Sequence, residues 1–369
     1  MKFRLTLFLS ILFLISPGVL KPVLAAESSS LFSRRADVPV AAPSGFRSQF
    51  YRLCDSAIVR IKDNNGKRPF FVDSYGIRSL CVAYDMTGNM KYLDACRSWA
   101  DRMVRYQRKM IPAGGYYLNY GRRPGQTNGD WYVADCSSIA MGVLSTAVRC
   151  KGAERRRLFQ SVERFASLVM KKFVRPSGGV TDGLWPQYNR AWWCSSSLFG
   201  SLSFILYRNT GNRRYLDIAM RIVRWLDKQD LATMQPLPLS HQGPSLPMYV
   251  LECYSAGWPY LSKNAAMKNA AESRIQWCLN WATSQQRIAI EKRKWPLLSW
   301  WGAKYGGLPF QEYIYAHFLP GQKALMEKGD REMRLLFPAA VSGKPGASQL
   351  TAFMLMSYAQ RLDPFAVYR

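Results

Sequence analysis

Five carboxylates stand where chemistry could be done: Asp73, Asp130, Asp135, Asp182 and Glu312, each in or beside a connection between apolar stretches. Their neighbours in the long connections are aromatic and polar: IPAGGYYLNYGRRPGQTNGDWYVAD over 111–135, VRPSGGVTDGLWPQYNRAWW over 174–193, and KWPLLSWWGAKYGG over 294–307. Aromatic faces stack on the C–H faces of sugar rings, while Asn, Asp and Arg bond to hydroxyls and carboxylates, so this mixture suits a glycan cleft. Trp131, Trp185, Trp192, Trp193, Trp300 and Trp301 are the candidate ring platforms, with Tyr116, Tyr117, Asn119, Tyr188 and Asn189 beside them. Arg122, Arg123 and Arg190 would clamp a sugar carboxylate. Cleavage of a glycosidic bond needs a positioned acid and base, usually carboxylates, and Asp135, Asp130 and Asp182 are the first choices. His241 and His317 add a possible imidazole base or hydrogen-bonding group. Each residue also has a plainer use. Asp73 and Asp135 stand where a helix N-cap belongs, Asp130 and Asp182 sit in turn-like NGD and TDG contexts, and the tryptophans can anchor loops.

The elements that must carry these loops are helices. Two segments repeat: YDMTGNMKYLD at 84–94 and YRNTGNRRYLD at 207–217. In each, an apolar helix ends at Thr-Gly, where Gly takes a left-handed cap, and Asn opens the next helix. The second helix of each unit is amphipathic, with Tyr92, Cys96, Trp99, Met103 and Tyr106 on one face, and Tyr215, Ala219, Ile222 and Leu226 on the other unit's equivalent. Segments 136–148 and 191–207 hold no charge and must be covered nearly all round. The pattern predicts outer helices near 44–62, 89–108, 153–173, 212–229, 264–283 and 322–336. Inner helices are expected near 73–87, 135–150, 195–209, 247–262, 308–319 and 346–361. Six of each describe an all-α (α/α)6 toroid, a double-layered barrel of six helical hairpins filling 44–369 as one domain. Inner-to-outer turns are tight and outer-to-inner connections long, so the long loops gather at one end, where sites are built.

Lys2 and Arg4, an apolar run from Leu5 to Ile15 and a small-residue exit at Ala25-Ala26 have the layout of a cleaved signal peptide over 1–26. Residues 27–43 form a leader segment, and the expected location is secreted or periplasmic. After signal removal no transmembrane segment is expected. The chain carries 51 Lys and Arg against 24 Asp and Glu, a formal charge of +27, most of which remains once Lys2, Arg4 and Lys21 are set aside. Such a field concentrates anionic partners, although Arg155 to Arg157, Arg213, Arg214, Arg221 and Arg224 lie on helix faces expected to be solvated. Eight cysteines without a CxxC pair, and only two histidines, argue against a dedicated metal site, and no cofactor is called for. Buried thiols are the default reading of the cysteines. Export and the lack of a recognised motif argue against nucleic acid as the partner.

The TGN-x-x-YLD turns at 87–94 and 210–217, and the run WPQYNRAWWCSSSLFG at 185–200, resemble the six-hairpin glycosidases, and within them the unsaturated glucuronyl and rhamnogalacturonyl hydrolases. The resemblance implies removal of an unsaturated uronic acid from an oligosaccharide end, with an Asp protonating the sugar's double bond and activating water. Asp135 is the first match for that Asp, followed by Asp130 and Asp182. The expected function is thus a hydrolase of an acidic, uronate-containing glycan. Two other readings fit the same residues. A polysaccharide lyase would use Tyr116, Tyr117, Tyr188, Tyr305 or His241 as base, and a noncatalytic glycan-binding envelope protein would keep the fold without the chemistry.

Overall fold

The two TGN segments fold alike down to single hydrogen bonds. Gly88 and Gly211 take φ of 67° and 69°, and their N–H groups donate to Tyr84 O and Tyr207 O. Asn89 and Asn212 then cap the next helices, their side chains accepting from the Lys91 and Arg214 N–H groups. Thr87 and Thr210 donate to carbonyls four residues back and accept from the Asn N–H. In each unit two side chains, a Thr and an Asn, thus turn the chain across Gly-Asn, which is why the unit can be reused.

A computed structural model describes residues 41–64, 66, 68–184, 190–230, 245–291, 296–299, 302–318 and 323–369. The signal-like segment 1–26, most of the leader, and Trp185, Tyr188, Asn189, His241, Trp300 and Trp301 lie outside these residues. Twelve α-helices are found among the described residues: α1 Phe46–Lys62, α2 Phe70–Thr87, α3 Met90–Gln107, α4 Val133–Arg149, α5 Gly152–Lys172 and α6 Trp193–Thr210. They continue with α7 Arg213–Asp227, α8 Ser245–Leu261, α9 Ala265–Glu291, α10 Leu308–Phe318, α11 Lys323–Ala340 and α12 Ala347–Leu362. The inner ring closes in the order α2, α4, α6, α8, α10, α12 and back to α2, each packed on the next. The odd-numbered helices pack outside it. This is the (α/α)6 toroid that the alternation of uncharged and amphipathic segments requires.

Burial follows the layers. α4 and α6 are buried along almost their whole length, whereas α7 buries one stripe including Tyr215, Ala219, Ile222 and Leu226 and exposes Arg213, Arg214 and Arg224. Small residues let inner helices approach: a Cβ on Gly257 of α8 would stand 2.5 Å from the Phe204 ring of α6. All eight cysteines are thiols and seven are buried. Among the described residues no helix is long and apolar enough to cross a membrane.

Several boundaries move. α2 begins at Phe70 and α4 at Val133, so Asp73 and Asp135 are not N-caps; both lie within the first turns, behind Pro69 and Tyr132 at the cap positions. α9 runs on to Glu291 and α11 to Ala340, past the expected ends.

Candidate functional site

Every inner helix begins at the end of the toroid where the outer-to-inner connections emerge. Two of those connections are zipped together over the start of α4. Tyr132 pairs with Gly183 in an antiparallel bridge, Val133 N donates to Asp182 O at 2.8 Å, and Leu184 N donates to Trp131 O at 3.1 Å. Further bridges join Thr181 to Ala191 and Val174 to Val180. Gly183 is required here: its φ is 147°, and a Cβ would stand 1.9 Å from the Trp131 carbonyl oxygen. The ladder sets the TDG segment beside the first turn of α4, and so brings Asp182 to Asp135.

Asp135 projects from that first turn and is half-buried. Its Oδ2 accepts a hydrogen bond from the Tyr120 hydroxyl, delivered by the 108–132 connection. Asp182, also half-buried, accepts from Ser195 Oγ in the first turn of α6 at 2.6 Å. The pair therefore spans the starts of two neighbouring inner helices. Burial pushes the Asp135 carboxyl up to about 7, and the charge of Asp182 pushes the same way against the lowering effects of Tyr120 and Lys304. Burial raises Asp182 too, opposed by the Ser195 hydrogen bond. Burial thus favours the protonated form of both carboxyls, and the charge of Asp182 adds to that tendency at Asp135.

Around them stand groups from the rest of the ring. Tyr249 of α8 lies within electrostatic reach of Asp135 and Cys194, and Trp193 stacks on it with centroids 6.4 Å apart. Lys304 comes from a 3-10 helix, Gly302–Gly307, that leads into α10, and its ammonium interacts with Asp135 and Cys194. Neither Tyr120 nor Lys304 was among the residues singled out in the sequence. The only trace of either is its place in a long loop, Lys304 between glycines in WGAKYGG.

The other expected site residues are placed otherwise. Tyr116 is fully buried, its hydroxyl bonded to Ser161 Oγ at 2.9 Å, and Trp131 is fully buried with its indole N–H on Tyr116 O at 2.9 Å. Both anchor the loop and offer no face to a sugar. Tyr117 packs edge-on between Phe70 and Tyr106, and Asn119, in a left-handed conformation, donates to Arg68 O at 2.7 Å. Arg122 spends its guanidinium on Ile111 O and Gly129 O, while Arg123 and Arg190 are exposed. The Asp130 carbonyl accepts from Arg122 N and closes the 121–130 turn. Trp192 is buried against Trp193 with centroids 5.4 Å apart.

Asp73 is buried and bonded to Asn64 and Arg68 of the connection before α2, and Glu312 takes Lys328 of α11 at 2.5 Å, so the first fastens a loop to an inner helix and the second ties an inner helix to an outer one. His317 sits in the last turn of α10, at the opposite end of the barrel from the acid pair, against the Phe365 ring. Tyr305 is buried beside Lys304 on the 3-10 helix, and burial holds its hydroxyl up at about 12. Among the described residues no group of three or more His, Cys, Asp or Glu could hold a metal ion.

No protein-family model matches the chain, and no curated protein matches it in sequence. Solved structures do match in shape. An unsaturated glucuronyl hydrolase specific for heparin is similar at a TM-score of 0.58 and 9% identity, over 85% of this chain and 98% of that one. An inactive variant of an alpha-1,6-mannanase of Salegentibacter sp. HEL1_6, in complex with alpha-1,6-mannotetrose, is similar at 0.57 and 11%, over 85% and 99%. The chain shares the (α/α)6 toroid fold with these two proteins. The two neighbours carry the names of hydrolases with different glycans, so the fold is common ground and the substrate has to be argued from the site.

Proposed function

We propose that this protein is a glycoside hydrolase of acidic oligosaccharides, with Asp135 as its proton donor. The observation that carries the reading is the placing of Asp135 and Asp182 together at the loop end of the barrel, where burial and its neighbour's charge push the Asp135 carboxyl up to about 7. A general acid works best when its pKa lies near the working pH. Tyr120 fixes the carboxyl's orientation through Oδ2. Asp182, held by Ser195, supplies the negative charge that favours an oxocarbenium-like centre and takes the proton of an attacking water. In a chain of +27, the field draws anionic glycans to this mouth. The signal-like 1–26 segment supports a secreted or periplasmic setting, where such polymers are met.

The test is an absorbance assay of the mature protein on uronate polysaccharides and on their unsaturated oligosaccharides. Loss of the unsaturated chromophore, abolished in Asp135→Asn, is the expected result. A rising chromophore would make the protein a lyase. No absorbance change and no new reducing ends on any substrate, acidic or neutral, would leave a binding protein and sink the hydrolase.

A further inference from the structure

We propose that Cys81 and Cys96 are a dithiol that a disulfide-bearing oxidant closes to a disulfide, stapling the first helical hairpin. Cys81 lies on inner helix α2 and Cys96 on outer helix α3, and their sulfur atoms are 3.7 Å apart. Both side chains are fully buried.

The turn builds this contact. Gly88 and Asn89 reverse the chain, so α2 and α3 pack along each other and two residues 15 apart in sequence come level across the interface. Cys96 donates its S–H to Ile77 O at 3.5 Å, one turn before Cys81, which holds it against the inner helix. The sulfur atoms of a disulfide stand about 2.05 Å apart, so these two have roughly 1.7 Å to close. That is the scale of a side-chain rotation and needs no shift of either helix. Packing alone does not ask for sulfur here. The matching positions of the second hairpin, counted from Gly211, hold Phe204 and Ala219, both fully buried, and that hairpin closes with the same turn. A thiol elsewhere is engaged differently: Cys136 donates to Tyr116 O at 3.4 Å.

The chemistry is thiol–disulfide exchange. The thiolate of one cysteine attacks a sulfur of the oxidant's disulfide, whose S–S bond breaks and releases one thiolate. The second cysteine, as thiolate, attacks the first in the mixed disulfide and releases the oxidant's other half. In each step the proton lost by the cysteine ends on the departing thiolate. The two cysteines are thus oxidised by two electrons, and one oxidant disulfide is reduced to two thiols. Both sulfurs are closed off in the finished barrel, so the exchange belongs to folding, when the hairpin exists and its neighbours have not yet packed on it. In the cell the step needs an oxidising compartment, so its occurrence there rests on the secreted or periplasmic setting proposed above. The geometry of the pair does not.

The experiment refolds the reduced full chain in a mixture of glutathione and glutathione disulfide, alkylates the free thiols and maps a tryptic digest by mass spectrometry without reduction. The expected result is a single cross-link, between peptides 79–91 and 92–97, with the other six of the eight cysteines alkylated. Full alkylation of Cys81 and Cys96, or a cross-link that leaves either of them out, overturns the proposal. Thermal melts give the second readout. Closing a loop between residues 15 apart should raise the midpoint by about 4–8 °C over protein refolded in dithiothreitol. The rise should vanish in Cys96→Ala and persist in Cys278→Ala, which removes a buried thiol elsewhere. A cross-link without a rise overturns the staple. If Cys96→Ala does not fold, the wild-type map and the two wild-type melts decide. Mapping protein recovered after export tests the setting separately. A cross-link formed on refolding but absent there would leave the pair standing and defeat the secreted or periplasmic reading.

Discussion

The two ends of the toroid are built on opposite plans. At the turn end, Gly88-Asn89 and Gly211-Asn212 connect inner to outer helices with the same local hydrogen bonds, each closed within a few residues. At the loop end, the connections are long and unlike one another, and the bonds that matter cross between them: Val133 to Asp182, Tyr120 to Asp135, Asp182 to Ser195. One end repeats because it only has to reverse the chain. The other does not repeat, and its bonds bring together groups far apart in the sequence. Damage to the turn end should therefore cost stability and leave activity alone, and damage to the loop end should cost activity beyond any loss of stability.

The largest effect expected is that of Asp135→Asn. Removing the proposed proton donor should lower kcat by about a hundred- to ten-thousand-fold. Its effect on stability has a sign set by the raised carboxyl. A group whose pKa rises on folding stabilises the protein below its unfolded value of about 4, and that contribution is lost as pH climbs through about 7. Asp135→Asn is spared that loss, so thermal melts should show the variant at least as stable as wild type at pH 8. A clear drop in melting temperature at pH 8 would mean that Asp135 is a structural carboxylate. In wild type, kcat/KM should fall on the alkaline side as Asp135 ionises, with the inflection near 7.

Gly183→Ala tests the ladder that joins the two loops. The added methyl meets the Trp131 carbonyl in a backbone conformation that L side chains rarely adopt. About 1–3 kcal/mol of destabilisation is expected. A misplacement of the acid pair of about 1 Å would cost about a hundredfold in turnover. Retained helical circular dichroism with lost activity fits this picture. Full activity would show that Asp182 is not positioned by the bridge to Tyr132.

The same contrast explains what was legible beforehand. The six hairpins were readable because helix periodicity and the TGN caps are local signals, and uncharged helices such as 191–207 mark an inner layer on their own. Asp135 and Asp182 were named, but nothing local says that they meet, since the bridge between Tyr132 and Gly183 joins separate connections. Tyr116 and Trp131 were misplaced because an aromatic in a polar loop reads the same whether it faces a ligand or plugs the barrel end. Asp73 resembles a cap until the helix is seen to start at Phe70. Arg122 looked available because carbonyl partners such as Ile111 O leave no mark in sequence. Lys304 was missed for a related reason: glycines that allow close approach are indistinguishable from glycines that allow flexibility.

The smallest effect lies at the turn end. Asn89→Ala and Asn212→Ala each remove one side-chain acceptor for a helix N–H, at Lys91 and Arg214, and should cost about 1 kcal/mol apiece. In a chain of this length that is a fall of roughly 2 °C in melting temperature for each. The two caps belong to separate hairpins and share no partner, so the double variant should show the sum within a few tenths of a kcal/mol. Activity at 25 °C should stay at the wild-type level in all three, because neither Asn touches the loops. A loss of turnover larger than the loss of folded protein would show that the turn end communicates with the site through the inner helices. The division between the two ends would then fail where the repeat made it look most secure.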